Sequence, residues 1–375
     1  MSTSTLTSTP STAGRVLDVE KAAALAAQHT AEADRTGTLD HAVVDALRDA
    51  GFARHFVGAR RGGTEGTFAE LTRAVRSLGE KCAATAWCAS LAAYSARFAA
   101  HLPQAGHDVL WGESPDAFIA TALMPGGRAK AVDGGWRLEG RWAYVSGIDF
   151  ADWVLLCAAA SGTGDSPELR FFLVPRSACT VDRTWDSIGM RASGSHTVAV
   201  AGALVPEHLS FARADLVAGR SASSDVPVHN VPFQAVGGVT FVAPIVGAAT
   251  GALHAAADGV AGRRRTHAVE SALVKASARI EAAGLLVGQN AEVLDERRFT
   301  PELMARNERN GAAAAELLQE ALGLLIRGAG TGGLGEGNAL QRFWRDVTSA
   351  SSHVALQYDT AARTTYSTVL LGPAD

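Results

Sequence analysis

The sequence predicts a mainly α-helical chain with a β domain in its middle, on three observations. Apolar residues recur at three- and four-residue steps from Val16 to about Trp111. From Ala117 to about Phe211 the period falls to two, and short runs are divided by glycine-rich turns. From Thr240 to Leu371 the helical period returns in long segments. At 375 residues the chain is long for a single core and suggests two or three packed units. The expected divisions are a disordered tail over 1–14, an N-terminal helical domain over 15–116, a middle β domain over 117–215 and a C-terminal helical bundle over 216–375.

The opening MSTSTLTSTPSTAG is rich in Ser and Thr and has neither an apolar core nor an early Lys, so it reads as a tail and not a signal peptide. Leu17, Ala22, Leu25 and Ala26 start a helix, and Ala42, Val43, Ala46 and Leu47 a second that Gly51 stops. Arg60-Arg61-Gly62-Gly63 is a turn, and Ala69, Leu71, Ala74, Val75 and Leu78 begin the next helix. Ala83 to Phe98 is apolar nearly all round, as expected of a helix buried between neighbours.

In the middle, Arg170 to Val174 and Thr197 to Val200 are the clearest strands, and the turns fit a small barrel or sandwich. The stretch WRLEGRWAYVSGIDFADW, Trp136 to Trp153, holds two alternating runs that meet at Gly140. It has two readings: a β-hairpin with aromatic cross-strand packing, or a wall on which Ser146-Gly147 meets a flat ligand. After a small polar linker, Ser221 to Val226, four bundle helices are expected: Val242–Arg263, Ala268–Phe299, Pro301–Ile326 and Leu340–Leu370.

Charge is nearly balanced, 34 Lys+Arg against 38 Asp+Glu, which points to neither nucleic acid nor a basic partner. Cys82, Cys88, Cys157 and Cys179 lack metal-ligand spacing and read as buried fillers in a reducing cytoplasm, with no metal site. The most apolar run, Val239 to Val260, is interrupted by Thr240, Pro244, Thr250, His254 and Asp258, so a buried helix is expected and no membrane span.

Among the motifs, GAGTGG at Gly328 to Gly333 matches a dinucleotide fingerprint but follows a helical pattern and no strand, so it reads as a turn joining the last two helices. QRFWRD, Gln341 to Asp346, and Ser351-Ser352-His353 are expected on one helix, with Asp346, Ala350 and His353 on one face. His353 is either a satisfied core histidine or a proton acceptor at neutral pH. Arg263-Arg264-Arg265 is either a solvated helix end or a phosphate grip. GMRASGS, Gly189 to Ser195, is a loop between strands.

The element order, together with GRWAYVSGIDFADW, GMRASGSHTVAVAGALVPEHL and LQRFWRDVTSASSH, resembles the acyl-CoA dehydrogenase superfamily over nearly the whole chain. Within it the sequence is most similar to the two-component flavin-dependent monooxygenases, such as hydroxyphenylacetate hydroxylase oxygenase components, dibenzothiophene monooxygenase, indole-type hydroxylases and amino-sugar nitrososynthases. The Arg-x-x-Phe-Gly element of the dehydrogenases is interrupted here by Thr266-His267, and the places of their Glu base, Gly247 to Ala257 and Ser351 to His353, hold no carboxylate. The alternatives are an acyl-CoA dehydrogenase or oxidase with bound FAD, and an N-oxygenase.

The resemblance implies oxygenation of an aromatic or heteroaromatic small molecule by reduced FAD or FMN and O2 through a C4a-hydroperoxide. The flavin would diffuse in from a separate NAD(P)H flavin reductase, and the enzyme would be a cytoplasmic homotetramer. It further implies that Ser146 lies near flavin N5 and that His353 assists substrate deprotonation. Trp142 and Gly147 would wall the ring, Arg263 would hold a phosphate, and Arg191, Ser195 and Arg345 would join the cofactor set. Several relatives carry a further histidine on the buried helix of the first domain; Tyr94 or Ser95 stands in that region here.

Overall fold

Helices occupy both ends of the chain and strands its middle in the computed structural model, which describes residues 17–161, 167–261 and 265–372. The tail expected over 1–14 and Arg263 lie outside the described residues. The first part holds α1 (Glu20–Thr36), α2 (His41–Asp49), α3 (Phe68–Gly79), α4 (Ala83–Ala99) and α5 (Gln104–Trp111). Thr67 and Glu70 close a reciprocal cap on α3, satisfying two backbone amides that a helix start leaves unpaired. Every residue of α4 except Leu91 is buried, as its all-round apolar pattern requires.

The strands are β1 (Ile119–Ala122), β2 (Gly127–Val132), β3 (Gly135–Val145), β4 (Trp153–Ser161), β5 (Glu168–Pro175), β6 (Thr180–Asp182), β7 (His196–Pro206) and β8 (Ser210–Ala212). Hydrogen bonds join them in the order β6-β7-β3-β2-β4-β5-β8, with β1 also on β4. All eight strands join in one hydrogen-bonded sheet whose ends are β6 and β8, and β1 and β2 both run parallel to β4. The expected break at Gly140 is corrected. β3 runs straight through it and pairs with β2 across the Asp133-Gly134 turn. Gly140 allows close approach: a Cβ there would lie 2.4 Å from Gly127 Cα.

After α6 (Arg213–Ala218) come α7 (Val239–Val260), α8 (His267–Asp295), α9 (Pro301–Ala329), α10 (Ala339–Ser351) and α11 (Arg363–Leu371). α7 is long and apolar enough to cross a membrane by length and composition, yet it is mostly buried among α3, α4, α8, α9 and α10. The Asp295 carboxylate at the end of α8 accepts from Phe68 N at 2.8 Å and Ala69 N at 2.9 Å, so the bundle completes the start of α3. The glycine-rich run after Ala329 is a tight turn leading to α10, as expected.

The last predicted helix, Leu340–Leu370, is two. α10 stops at Ser351 and α11 starts at Arg363, with short turns at Val354–Leu356 and Tyr358–Ala362 between them. The cause is local: His353 is extended (φ −61°, ψ 135°) and its ring accepts from Ala355 N, starting a new turn where α10 would have continued. His353 therefore does not share a helical face with Asp346, contrary to the expectation.

Candidate active site

The end of β3 is shaped by an irregularity between Trp142 and Val145, where the pairing with β7 slips and Tyr144 takes a left-handed conformation (φ 60°). Such a bulge re-aims the side chains that follow it. It leaves Tyr144 exposed and turns Ser146 toward the loop before β7. Gly147 N donates to Ser193 O at 2.8 Å, pinning the two loops together. Ser146 Oγ then lies 2.8 Å from Ser195 Oγ, which lies 2.7 Å from Ser193 Oγ. From α4, the Trp87 indole N–H donates to Ser146 Oγ at 3.3 Å.

Opposite this chain of hydroxyls stands His353. Its ring stacks on Phe241 of α7 at 3.8 Å between centroids and meets the edge of Trp87 at 5.9 Å. Trp87 thus touches both residues singled out from the sequence as catalytic. Burial, with no carboxylate to oppose it, pushes the His353 pKa down to about 4, so the ring is neutral at pH 7. Nδ1 accepts from Ala355 N at 3.2 Å, which places the proton of the neutral ring on Nε2.

Behind the serines, Asp149 Oδ2 is buried without a hydrogen-bond partner, 3.6 Å from His196 Nε2. Burial holds the His196 pKa below its ordinary value, against the pull of Asp149.

The other sequence candidates are placed elsewhere. Trp142 is buried in the sheet against Gly126, Gly127 and Gly140, and its N–H donates to Cys157 O at 2.6 Å; it is a core residue. Arg191 donates to Asp34 O at 2.7 Å, and Arg345 pairs with the Asp34 carboxylate at 2.6 Å and donates to Ile188 O at 2.5 Å. Both guanidinium groups join α1 to the serine loop and α10, an arrangement that holds structure. Tyr94 packs on Phe56 and Phe68 in the N-terminal core, and Ser95 Oγ accepts from Thr121 Oγ1 of β1 at 2.8 Å. Buried Asp346 accepts from Met190 N at 2.6 Å, and burial raises its pKa to about 6.

Sequence reasoning missed Trp87, Phe241, Ser193 and Asp149. Ser193 and Asp149 lie inside stretches already singled out, whereas Trp87 and Phe241 sit within apolar helices and carry no local signal. Among the described residues no three His, Cys, Asp or Glu side chains gather to hold a metal ion. Neutral hydroxyls, an indole N–H and a neutral imidazole make a polar set that fits the ring of a flavin.

Residues 239–358 match the family model for the acyl-CoA dehydrogenase C-terminal domain, which covers α7 to α10. Over 328 residues the chain is 31% identical to the flavin-dependent monooxygenase oxygenase subunit HsaA of Rhodococcus jostii, covering 83% of this chain and 86% of that one. It is 29% identical to the oxygenase component of the FADH2-dependent resorcinol hydroxylase of a Rhizobium, covering 92% and 90%. The Streptomyces XiaF structure, solved with FADH2 and glycerol, superposes with a TM-score of 0.87 at 27% identity, over 95% of this chain and 94% of that one. The chain belongs to the oxygenase components of flavin-dependent monooxygenases, built on an acyl-CoA dehydrogenase-like fold. It is an oxidoreductase that uses flavin and O2, and the oxygenase-component names of its relatives imply a separate reductase and a small-molecule substrate.

Proposed function

We infer that the enzyme oxygenates an electron-rich aromatic or heteroaromatic ring between Ser146 and His353, in a site closed by Trp87 and Phe241. The observation that carries this reading is the position of Trp87, bonded to Ser146 Oγ at 3.3 Å and in edge contact with His353 at 5.9 Å. Relatives named for resorcinol, p-hydroxyphenylacetate and indole-3-acetate support the substrate class.

Reduced flavin, when bound, activates O2 and delivers one oxygen atom to the substrate. Ser146 would meet the flavin ring with its hydroxyl, and Gly147 would let backbone approach. Trp87 and Phe241 keep water out and present flat apolar faces to an aromatic substrate. His353 is read as a neutral donor from Nε2, aimed at the substrate oxygen. This replaces the acceptor role expected from the sequence, because taking up a proton would need Nδ1, which the Ala355 amide occupies.

The finer assignments belong to the same reading: domain divisions near 116 and 215, a reductase driven by NAD(P)H, and a cytoplasmic homotetramer. All four cysteines are buried and unpaired, which suits a reducing compartment. Val274 and Leu285 lie exposed on one face of α8 and would pack against a second copy.

Anaerobic protein with reduced FAD or FMN, mixed with oxygenated buffer in a stopped-flow spectrometer, tests the site. A transient spectrum distinct from reduced and oxidised flavin is expected, and Ser146→Ala should shorten its life about tenfold, the loss of roughly one hydrogen bond. Reoxidation at the rate of free flavin would overturn the assignment.

A further inference from the structure

Ser146 sits at the end of a chain of three hydroxyls, and the chain has no fixed direction of its own. Trp87 Nε1 is a donor only, so it takes one lone pair of Ser146 Oγ. Between Ser146 and Ser195, and between Ser195 and Ser193, either oxygen can be the donor. Ser193 and Ser195 are both buried, and their hydroxyls bond within this chain alone among the described residues. A proton order running Ser193 to Ser195 to Ser146 leaves the Ser146 proton free to donate into the site. The reverse order leaves a Ser146 lone pair free to accept.

We propose that Ser195 is a positioning residue that acts only through Ser146, holding its hydroxyl aimed at the ligand as donor or as acceptor while the chain reverses. The proposal rests on the reading that Ser146 faces the flavin ring. A flavin ring nitrogen carries a proton when reduced and none when oxidised, so one hydroxyl must accept from the first form and donate to the second. Replacing Ser195 leaves a Ser146 hydroxyl that can still donate or accept but has lost the partner that aims it in either role. No bond is made or broken in the chain beyond the hydrogen bonds themselves.

Anaerobic titration of the full-length protein with reduced and with oxidised FAD and FMN, followed by tryptophan fluorescence, tests this. Ser195→Ala should weaken binding of both redox forms about three- to tenfold, as should Ser146→Ala. Ser195→Thr, which keeps the hydroxyl, should restore it. The double variant should bind no worse than Ser146→Ala alone, because Ser195 has no other route to the ligand. Additive losses, or tight binding of both forms by Ser195→Ala, would overturn the proposal. The Trp87 indole N–H resonance in the ligand-free protein separates it from the flavin reading. If wild type binds neither flavin, the flavin reading fails, and an indole shift unmoved by Ser195→Ala sinks the chain as well. If that shift moves in Ser195→Ala and returns in Ser195→Thr, the chain stands by itself.

Discussion

On the serine side of the site all three hydroxyls have polar partners, and the loop that carries two of them is gripped along its length by α10. Arg345 holds Ile188 O, Asp346 holds Met190 N, and Ser349 Oγ lies 3.2 Å from Ser187 Oγ. On the histidine side the imidazole has one backbone hydrogen bond and is otherwise enclosed by rings. The first wall is fixed by directional bonds, the second by shape and by exclusion of charge. A hydroxyl can be aimed only by partners, whereas an imidazole kept neutral needs their absence. The two walls should therefore fail under different insults.

The serine side should break most severely at Gly189, where a Cβ would lie 2.1 Å from Arg345 O. Gly189→Ala must push the loop off α10. A loss of about 3–5 kcal/mol in urea unfolding is expected, together with weaker flavin binding. An unchanged unfolding midpoint would show that the grip does not set the loop. The histidine side should break in acid. The folded-state pKa of His353 is lowered to about 4 from 6.5, so the unfolded chain takes up more protons across that interval. Stability from this residue is complete above about pH 6.5 and falls as pH drops toward 4, by roughly 3 kcal/mol. His101 and His229, lowered to about 3 and 4 by burial, act in the same direction. Thermal melts of His353→Gln against wild type from pH 7 to 4 should show a shallower acid decline in the variant; parallel curves would refute the neutral-histidine assignment.

Two smaller effects sharpen the contrast. Asp34→Ala removes the carboxylate that holds Arg345 and should cost about 2 kcal/mol, with flavin affinity falling more than O2 reactivity. Ser349→Ala loses one long hydroxyl contact and should cost at most about 0.5 kcal/mol; a larger drop in melting temperature would mean the grip is more cooperative than its separate bonds.

What was legible beforehand divides along the same line. The helical and alternating periods are written in local spacing, so the order of elements and the burial of α4 and α7 could be read directly. Ser146 and His353 stand out from their local motifs and the family resemblance, and Trp87 contacts both. The end of α10 was missed because Ser351-Ser352-His353 continues an acceptable helical pattern, and only the side-chain bond to Ala355 stops it. Trp142 packs on three glycines, and a tryptophan before a Ser-Gly step has the same spacing whether it faces those or a ligand. Arg191 and Arg345 both bind Asp34, which lies far away in the chain. Long-range pairings leave no periodic trace in a single sequence.

The Asp34–Arg345 pair joins positions 311 residues apart. During synthesis, α1 and the sheet leave the ribosome long before α10 exists, so the serine loop is made without the helix that grips it. Trp87, Ser146, Phe241 and His353 likewise meet only when nearly the whole chain is available. Non-local contacts of this kind form late and slowly. The site is therefore withheld from every nascent fragment, and a chain cut short before Arg345 has made the serine loop without the helix that grips it.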